Sequence, residues 1–290
     1  MSKAQRTKEQ SARARIANKQ AEQRRKEQRR RTLAIGGIAV ALLAVIGIII
    51  GALVSRSSPS PPAAASRPLP AGVQPKLTVP VGTLATVGLG SSGTQLLKPV
   101  TGAALASGGK PEMLYIGAEW CPYCAAERWA MAVALSRFGS FTPLRGVHSS
   151  ATDVFPNTAT LTFFGSTYTS NYLVFTPVET QDVNHNPLQA PTAAQKALWA
   201  KYEPPGNSFP FIDIGNRFVA ATTYNPQVLQ GLSWNQIAAD LHNPSSPVAQ
   251  GAVGSANLLT AAICKITGNA PASVCTAAPI PAIESRIALR

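Results

Sequence analysis

The sequence predicts a mixed α/β domain that follows a single transmembrane helix. Leu33–Val54 is a 22-residue run without a charged side chain. Apolar runs of strand and helix character then alternate over residues 76–290, which is typical of a mixed α/β fold. The composition agrees, because 45% of the 290 residues are hydrophobic and only 13% are charged. This balance excludes a largely disordered chain.

The basic charge is concentrated in an N-terminal tail. Residues 1–32 hold 12 Lys or Arg and 3 Asp or Glu, a net charge of +9, whereas the other 258 residues hold 14 and 10, a net charge of +4. The tail has no aromatic residue for base stacking, so we expect no nucleic-acid partner. We interpret it as a cytoplasmic topology signal; the alternatives are a basic helix on anionic lipid and a nucleic-acid contact.

Leu33–Val54 has the length of a membrane span. As a helix it extends for roughly 33 Å, which matches a hydrocarbon core of about 30 Å. The basic residues precede it, so the positive-inside rule places the N-terminus in the cytoplasm and residues 55–290 outside. The alternative is a cleaved signal peptide, whose apolar region is shorter, at about 7–15 residues. We expect an uncleaved, single-pass anchor in the cell membrane.

The segment after the span is rich in Pro, Ser and Ala over residues 55–75. It shows no hydrophobic period and is typical of an extended linker. The folded, extracytoplasmic domain is therefore predicted to cover 76–290.

Patterns along this domain predict individual elements. A short apolar run, Met113–Ala118, predicts a buried strand, and Cys124–Gly139 has helical spacing that ends at a glycine. Trp129, Val133 and Phe138 are its candidate core positions. Thr158–Glu179 is rich in Thr, Tyr, Phe and Val and predicts strands or a hairpin.

The C-terminal half continues the alternation. Pro191–Tyr202 predicts a helix that begins at a proline. Phe209–Tyr224 predicts two strands that are joined at Gly215–Asn216. Two further helices are predicted, Ser233–Asn243 with a serine N-cap and Ser255–Ile266.

The chemically informative motif is Glu119-Trp120-Cys121-Pro122-Tyr123-Cys124, between the predicted strand and helix. Pro122 suits a first helical turn, where its missing N–H costs nothing. Zinc normally takes four ligands, and the remaining cysteines and histidines show no paired ligand spacing, so we expect no metal. An exported location favours disulfide chemistry, for which no organic cofactor is needed.

The spacing of the two cysteines predicts a redox pair. Residues three apart on a helix share a face, and a cysteine at a helix N-terminus is favoured as a thiolate. Cys121 is therefore the predicted nucleophile and Cys124 the predicted resolving thiol. The alternatives are a buried structural bridge and Cu(I) delivery through two soft thiolates.

The sequence of strand, Glu-Trp-Cys-x-x-Cys and helix resembles the thioredoxin superfamily, and Ser208–Asn216 is similar to that family's cis-proline loop. The resemblance implies that Pro210 is a cis-proline beside the cysteines and that Phe209 faces a substrate peptide. It also implies that Trp120, Pro122 and Tyr123 line the site. The stretch YIGAEWCPYCAAERWAMAVALSRFG further resembles an uncharacterised family of membrane-anchored thioredoxin-like proteins, over most of residues 76–290.

The chain departs from the thioredoxin pattern in three ways. Tyr115 stands where a buried acid is usual; Glu119 and Glu127 are the possible replacements, but we expect both to be solvated. The Pro-Tyr pair resembles that of glutaredoxins. There are 88 residues between Cys121 and Pro210, which predicts an insertion between the cysteine-bearing helix and the cis-proline loop.

Cys264 and Cys275 form a second pair. The intervening residues are rich in turn formers, so we expect a structural disulfide. The alternative is a relay that exchanges electrons with the first pair.

Together these features predict a membrane-anchored thiol–disulfide oxidoreductase. Its expected partners are thiols or disulfides of exported proteins and an unidentified redox partner. Oxidases, isomerases and reductases share these parts. The rival function is a non-enzymatic, thioredoxin-like scaffold of the cell envelope, in which both cysteine pairs only stabilise the fold.

Overall fold

The computed structural model of the chain describes residues 66–203 and 208–287. The basic tail and the helix predicted for Leu33–Val54 lie outside the described residues. Within the described residues, no helix is both long and apolar enough to cross a bilayer. These residues form the mixed α/β arrangement that the alternating patterns predicted.

The strands and helices follow one another in mixed order along the chain. The strands are β1 Arg67–Pro68, β2 Leu97–Pro99, β3 Ala106–Ser107, β4 Lys110–Gly117, β5 Gly139–Thr142, β6 Arg145–His148, β7 Ala159–Thr162, β8 Thr167–Ser170, β9 Val174–Glu179, β10 Phe211–Ile214 and β11 Phe218–Ala220. The helices are α1 Val81–Val87, α2 Pro122–Leu135, α3 Ala193–Tyr202, α4 Trp234–Asp240, α5 Gly254–Ile266, α6 Ala272–Cys275 and α7 Ile280–Glu284.

The main sheet is built around β4. Its parallel neighbour is β9, and both β10 and the short β3 pair with it in the antiparallel direction. The chain turns back from β10 into β11, and β11 pairs with β2. The turn at Gly215–Asn216 is confirmed. Because β10 runs against β4, the residues that precede β10 lie beside the residues that follow β4. This register brings the two halves of the predicted site together.

The sheet is buried on both faces, which explains the continuous apolar run in β4. Met113 and Tyr115 face one core, which also contains the apolar residues of α2 and α5. Leu114 and Ile116 face a second core, which contains Trp199 of α3. The layers are therefore α2 and α5, the sheet, and α3.

Helix α2 is the most enclosed helix of this arrangement, because each of its residues except Tyr123 is buried. It packs against α5 and β7. Trp129, Val133 and Phe138 are buried, as predicted. The helix ends at Leu135 rather than at Gly139, which instead opens β5.

Four strands lie between α2 and β9, where the sequence predicted an insertion. β5 pairs with β8, while β6 pairs with β7 and with β1. Strands were correctly predicted for Thr158–Glu179, but β7 and β8 belong to different small sheets instead of forming one hairpin. Four aromatic rings pack the insertion onto the main core: Phe141, Phe163, Tyr168 and Phe175.

The folded unit begins earlier than the predicted boundary at residue 76. The β1 strand, within the predicted linker 55–75, pairs with β6, and Arg145 Nε donates a hydrogen bond to Ser66 Oγ at 3.0 Å. Val73 is fully buried in the main core. A proline-rich composition is compatible with a short edge strand followed by a turn, so composition alone placed the boundary too late.

Two of the later helices, α3 and α4, begin at side-chain caps. Ser233 caps α4 in a capping box with Gln236, as its serine predicted. Thr192 forms the same box with Gln195, so α3 begins two residues after Pro191. Helix α5 begins at Gly254, close to the predicted Ser255, and follows a π-helical turn.

Cys264 and Cys275 are joined in a disulfide that links the last turn of α5 to α6, with a Cα–Cα distance of 5.7 Å. Both are buried in the main core, whereas Cys121 and Cys124 belong to a separate small cluster. Neither sulfur of the disulfide is presented to solvent, and this placement favours a structural role over a relay.

Glu127 links α2 to the C-terminal part of the fold through hydrogen bonds. Its carboxyl accepts hydrogen bonds from the Thr223 backbone N–H at 2.9 Å and the Thr223 hydroxyl at 2.8 Å, and it contacts the hydroxyl of Ser255 on α5. Burial raises the pKa of Glu127 from 4.5 to about 7, against the lowering effect of these hydrogen bonds. The expectation that this carboxyl is solvated was wrong.

Because Glu127 has a raised pKa in the folded state, we expect the free energy of unfolding to depend on pH. Between its unfolded pKa and a folded pKa of about 7, the native state binds the extra proton, so the free energy of unfolding falls as pH rises. We expect Glu127→Gln to lack this fall, a difference of about 2–3 kcal/mol across the window. Urea denaturation over a pH series measures it, with Glu112→Gln as the matched control. Parallel curves for wild type and Glu127→Gln would contradict the assignment.

Candidate functional site

The cysteine motif lies where β4 ends and α2 begins. Cys121 is the N-cap residue of α2, and Pro122 occupies the first turn, as predicted. The Cys121 sulfur accepts a hydrogen bond from the Cys124 backbone N–H at 3.2 Å. It therefore satisfies one of the free N–H groups at the start of the helix. Both cysteines are present as thiols; Cys121 is 3% exposed and Cys124 is fully buried.

The two thiols differ in acidity. The hydrogen bond with the Cys124 thiol lowers the pKa of Cys121 and outweighs the opposing effect of burial; nearby backbone N–H groups and the positive charge of Arg128 lower it further. Burial raises the pKa of Cys124 well above its ordinary value. The first cysteine is thus the thiolate-forming one, and the second keeps its proton.

Phe209 lies beside the cysteines, and Pro210 follows it directly before β10, which runs antiparallel to β4. The Phe209–Pro210 peptide bond is cis. Phe209 packs against the small cluster of Ala118, Cys121 and Cys124. Its ring stacks on Trp199, with centroids 5.1 Å apart. The structure therefore brings Phe209 next to Cys121, which lies 88 positions earlier in the chain.

Trp120 and Tyr123 border an open cavity above Cys121. Trp120 Nε1 donates a hydrogen bond to Gln181 Oε1 at 2.9 Å, and its ring meets Phe209 edge-on at 5.9 Å. Tyr123 is 40% exposed. The cavity has a volume of about 440 Å³, and its walls are Trp120, Cys121, Pro122, Tyr123, Asp153, Ser208 and Phe209.

A buried ion pair lies beneath the motif. Arg128, one helical turn beyond Cys124, donates two hydrogen bonds to the Glu179 carboxylate, at 2.8 and 2.7 Å, and a third to the Ala118 carbonyl at 2.6 Å. Both side chains of the pair are fully buried. Sequence reasoning missed this pair, although an Arg in a helix that is apolar on its other faces is a signal of a buried partner.

Glu119 is also buried, which corrects the expectation that it is solvated. One oxygen accepts a hydrogen bond from the Thr162 hydroxyl at 2.6 Å, while Oε2 has no partner among the described residues. Burial raises its pKa. The covering residue belongs to β7 of the insertion, so the sequence around Glu119 held no sign of its burial.

Tyr115 occupies the position where the resemblance implied a buried acid. Its hydroxyl has no partner among the described residues, and burial raises its pKa well above the ordinary value. This side chain therefore remains protonated and does not supply a carboxylate.

A comparison with protein families gives one match. A family model described as a domain of unknown function, DUF929, matches residues 97–265. The chain belongs to this family. No curated protein and no solved structure matches the chain.

The DUF929 match runs from β2 to the last turn of α5. It spans Cys121, Cys124, Phe209 and Pro210, and it includes the four inserted strands. The insertion is therefore part of the matched domain rather than an addition at its border. Among the described residues, 66–203 and 208–287, no three or more His, Cys, Asp or Glu side chains are grouped so that they could hold a metal ion.

The acidity difference predicts ordered alkylation. We expect iodoacetamide to modify Cys121 with a pH midpoint below the value of about 8.5 for a free thiol. Cys124 should react only at higher pH, and Cys121→Ser should remove the low-pH reaction. Mass spectrometry of quenched samples over a pH series identifies the modified residue. Initial labelling at Cys124, or a Cys121 midpoint at or above that of glutathione, would contradict the assignment.

Proposed function

We propose that this chain is a membrane-anchored, extracytoplasmic thiol–disulfide oxidoreductase. The observation that carries the proposal is the pairing of two unlike thiols on one helical turn. Cys121 caps the helix and has a lowered pKa, whereas Cys124 is fully buried and has a raised pKa. Such a pair separates the attacking role from the resolving role.

We further propose that the described domain is thioredoxin-like. Support comes from the connection of β4 through α2 to the parallel strand β9, followed by α3, the antiparallel pair β10 and β11, and the closing helix α5. The cis Phe209–Pro210 bond beside the cysteines is the arrangement that the resemblance implies. The four strands inserted before β9 and the tyrosine at position 115 are departures from that pattern.

The exchange proceeds in two balanced steps. The Cys121 thiolate attacks one sulfur of a substrate disulfide, so that a Cys121–substrate bond forms and the other substrate sulfur leaves as a thiolate. The Cys124 thiol then gives its proton to the substrate thiolate released in the first step, and its sulfur attacks Cys121. The substrate dithiol is released and the Cys121–Cys124 disulfide remains. The reverse sequence transfers the disulfide to a substrate dithiol, and a second thiol or disulfide protein resets the pair.

Arg128 supports both steps through its charge. Its fixed cation lowers the pKa of each cysteine, although burial dominates at Cys124. In the second step a negative charge develops on the buried sulfur, and a nearby cation stabilises it more strongly there than in water. The site therefore places a cation near the resolving thiol, while Tyr115 stands at the position where the resemblance implied an acid.

The location follows from the predicted topology. The anchor at Leu33–Val54 holds the domain outside the cytoplasm, so its substrates are thiols or disulfides of exported proteins. One observation favours the non-enzymatic scaffold as a second candidate, which is the low exposure of both cysteines. In the scaffold, the Cys121 thiol is inert towards disulfides.

The two candidates differ in the fate of Cys121. We expect the Cys124→Ala chain, treated with the uncharged hydroxyethyl disulfide, to keep one mercaptoethanol group as a mixed disulfide on Cys121. Wild type should pass on to the internal disulfide, and the Cys121→Ala variant should take up none at this site. Intact mass and peptide mapping measure these species. If Cys124→Ala remains unmodified at Cys121 while it is folded, the oxidoreductase proposal fails in favour of the scaffold.

A further inference from the structure

One loop of the insertion, residues 149–158 between β6 and β7, lies against the cysteine motif. The Ser150 backbone N–H donates a hydrogen bond to the Trp120 carbonyl at 2.8 Å, directly before Cys121. Just beyond the loop, the Thr160 hydroxyl donates to the Ala125 carbonyl of α2 at 2.6 Å. The loop is thus attached to the cysteine motif itself.

This loop presents apolar surface next to the cavity. Val154 is 52% exposed and is one of the few large apolar side chains on the described surface. Phe155 meets the exposed ring of Tyr123 edge-on at 6.1 Å. The cavity is lined by Asp153 of this loop and by Ser208 and Phe209, so the insertion and the residues before β10 both border the cavity that contains Cys121.

The cavity carries one acidic side chain, Asp153. Its carboxylate accepts a hydrogen bond from the neighbouring Val154 N–H at 2.7 Å. No salt bridge to it is formed within the described parts of the chain. A carboxylate without a cation in a mostly apolar cleft attracts a positively charged group and repels an acidic thiol such as glutathione.

We propose that this cleft binds an extended, cysteine-bearing segment of an exported protein that carries an apolar residue and a Lys or Arg next to its cysteine. The inference rests on the proposed function and names its substrate class. Cys121 is only 3% exposed, so its sulfur is reached by a single strand that enters the cleft rather than by a folded surface. The apolar side chain contacts Val154 and Tyr123, and the basic side chain pairs with Asp153.

Blocked synthetic peptides test the charge selection. Each peptide has leucine before a central cysteine and Lys, Gln or Glu after that cysteine. The cysteine is linked to mercaptoethanol by a disulfide bond. Mixed-disulfide formation at Cys121 is timed with the full-length Cys124→Ala chain. We expect the Lys peptide to react about threefold to tenfold faster than the Glu peptide. When Asp153→Asn is added to the Cys124→Ala chain, the ratio of the Lys-peptide rate to the Glu-peptide rate should fall close to one. The matched control Asp240→Asn, added to the same chain, should preserve the ratio.

A second variant tests the apolar wall. Adding Val154→Ser should lower the rate with every leucine peptide by about threefold. The matched control is Val81→Ser, because Val81 is similarly exposed, at 58%, but lies on α1, none of whose residues lines the cavity, whereas Val154 is adjacent to Asp153 of the lining. It should leave all rates unchanged. The same peptides with serine in place of cysteine, added to the Cys121→Ala/Cys124→Ala chain, report binding by fluorescence anisotropy without any exchange.

The outcomes separate this inference from the proposed function. If hydroxyethyl disulfide and all three peptides react equally well, or if Asp153→Asn keeps the Lys preference, the substrate class is wrong and the exchange activity stands. If the serine peptides show the Lys preference but no disulfide reacts at Cys121, the cleft stands and the oxidoreductase proposal fails. A preference for the Glu peptide overturns the charge assignment.

Discussion

The buried ion pair between Arg128 and Glu179 is the interaction on which the arrangement of the site depends. It joins the cysteine-bearing helix to the end of β9, and the third hydrogen bond of Arg128 fixes the Ala118 carbonyl three residues before Cys121. Removing two charges from water costs several kcal/mol per ion, which only good geometry offsets. Here the pairing is bidentate, the strong form of this interaction. If either partner is lost, an uncompensated charge remains in the core beneath the cysteines.

The same cation connects the fold to its proposed chemistry. A helix that is buried on nearly every face offers its N-terminus as the place where a thiol can reach a substrate. Cys121 accepts the N–H of Cys124, whereas Cys124 lies one turn deeper in the apolar cluster. Burial acts against both thiolates. At Cys121 the hydrogen bond with the Cys124 thiol outweighs burial, whereas at Cys124 burial and that same hydrogen bond both raise the pKa. The difference in acidity thus follows from the pairing of the two thiols and from the greater depth of Cys124.

Local sequence patterns predicted the secondary-structure elements and the cysteine motif better than they predicted which side chains are buried. The cysteine motif, the β10–β11 turn and the Ser233 cap are encoded by adjacent residues, and the structure has them. The burial of Glu119 and Glu127 depends on Thr162 and Thr223, which lie on other elements, so periodicity held no sign of it. Ser66–Pro75 was assigned to a linker because composition cannot show that a proline-rich strand pairs with β6.

The insertion shows the same limit at a larger scale. Its length was readable from the 88 residues between Cys121 and Pro210, but its role depends on pairing between distant strands. The loop at 149–158 comes to the cysteine motif because β7, which pairs with β6, packs against α2. The DUF929 match includes these strands, so the cleft that they complete lies within the matched domain.

We propose that Cys121 and Cys124 form a reactive couple and not a stabilising bridge. The reduction potential of this couple, measured in the full-length chain by equilibration against glutathione with Cys121→Ser as the control, distinguishes the two. A reactive couple should show a reversible two-electron transition between about −270 and −120 mV. A bond that glutathione does not reduce, with a potential below about −300 mV, would contradict this proposal and assign both pairs to structure.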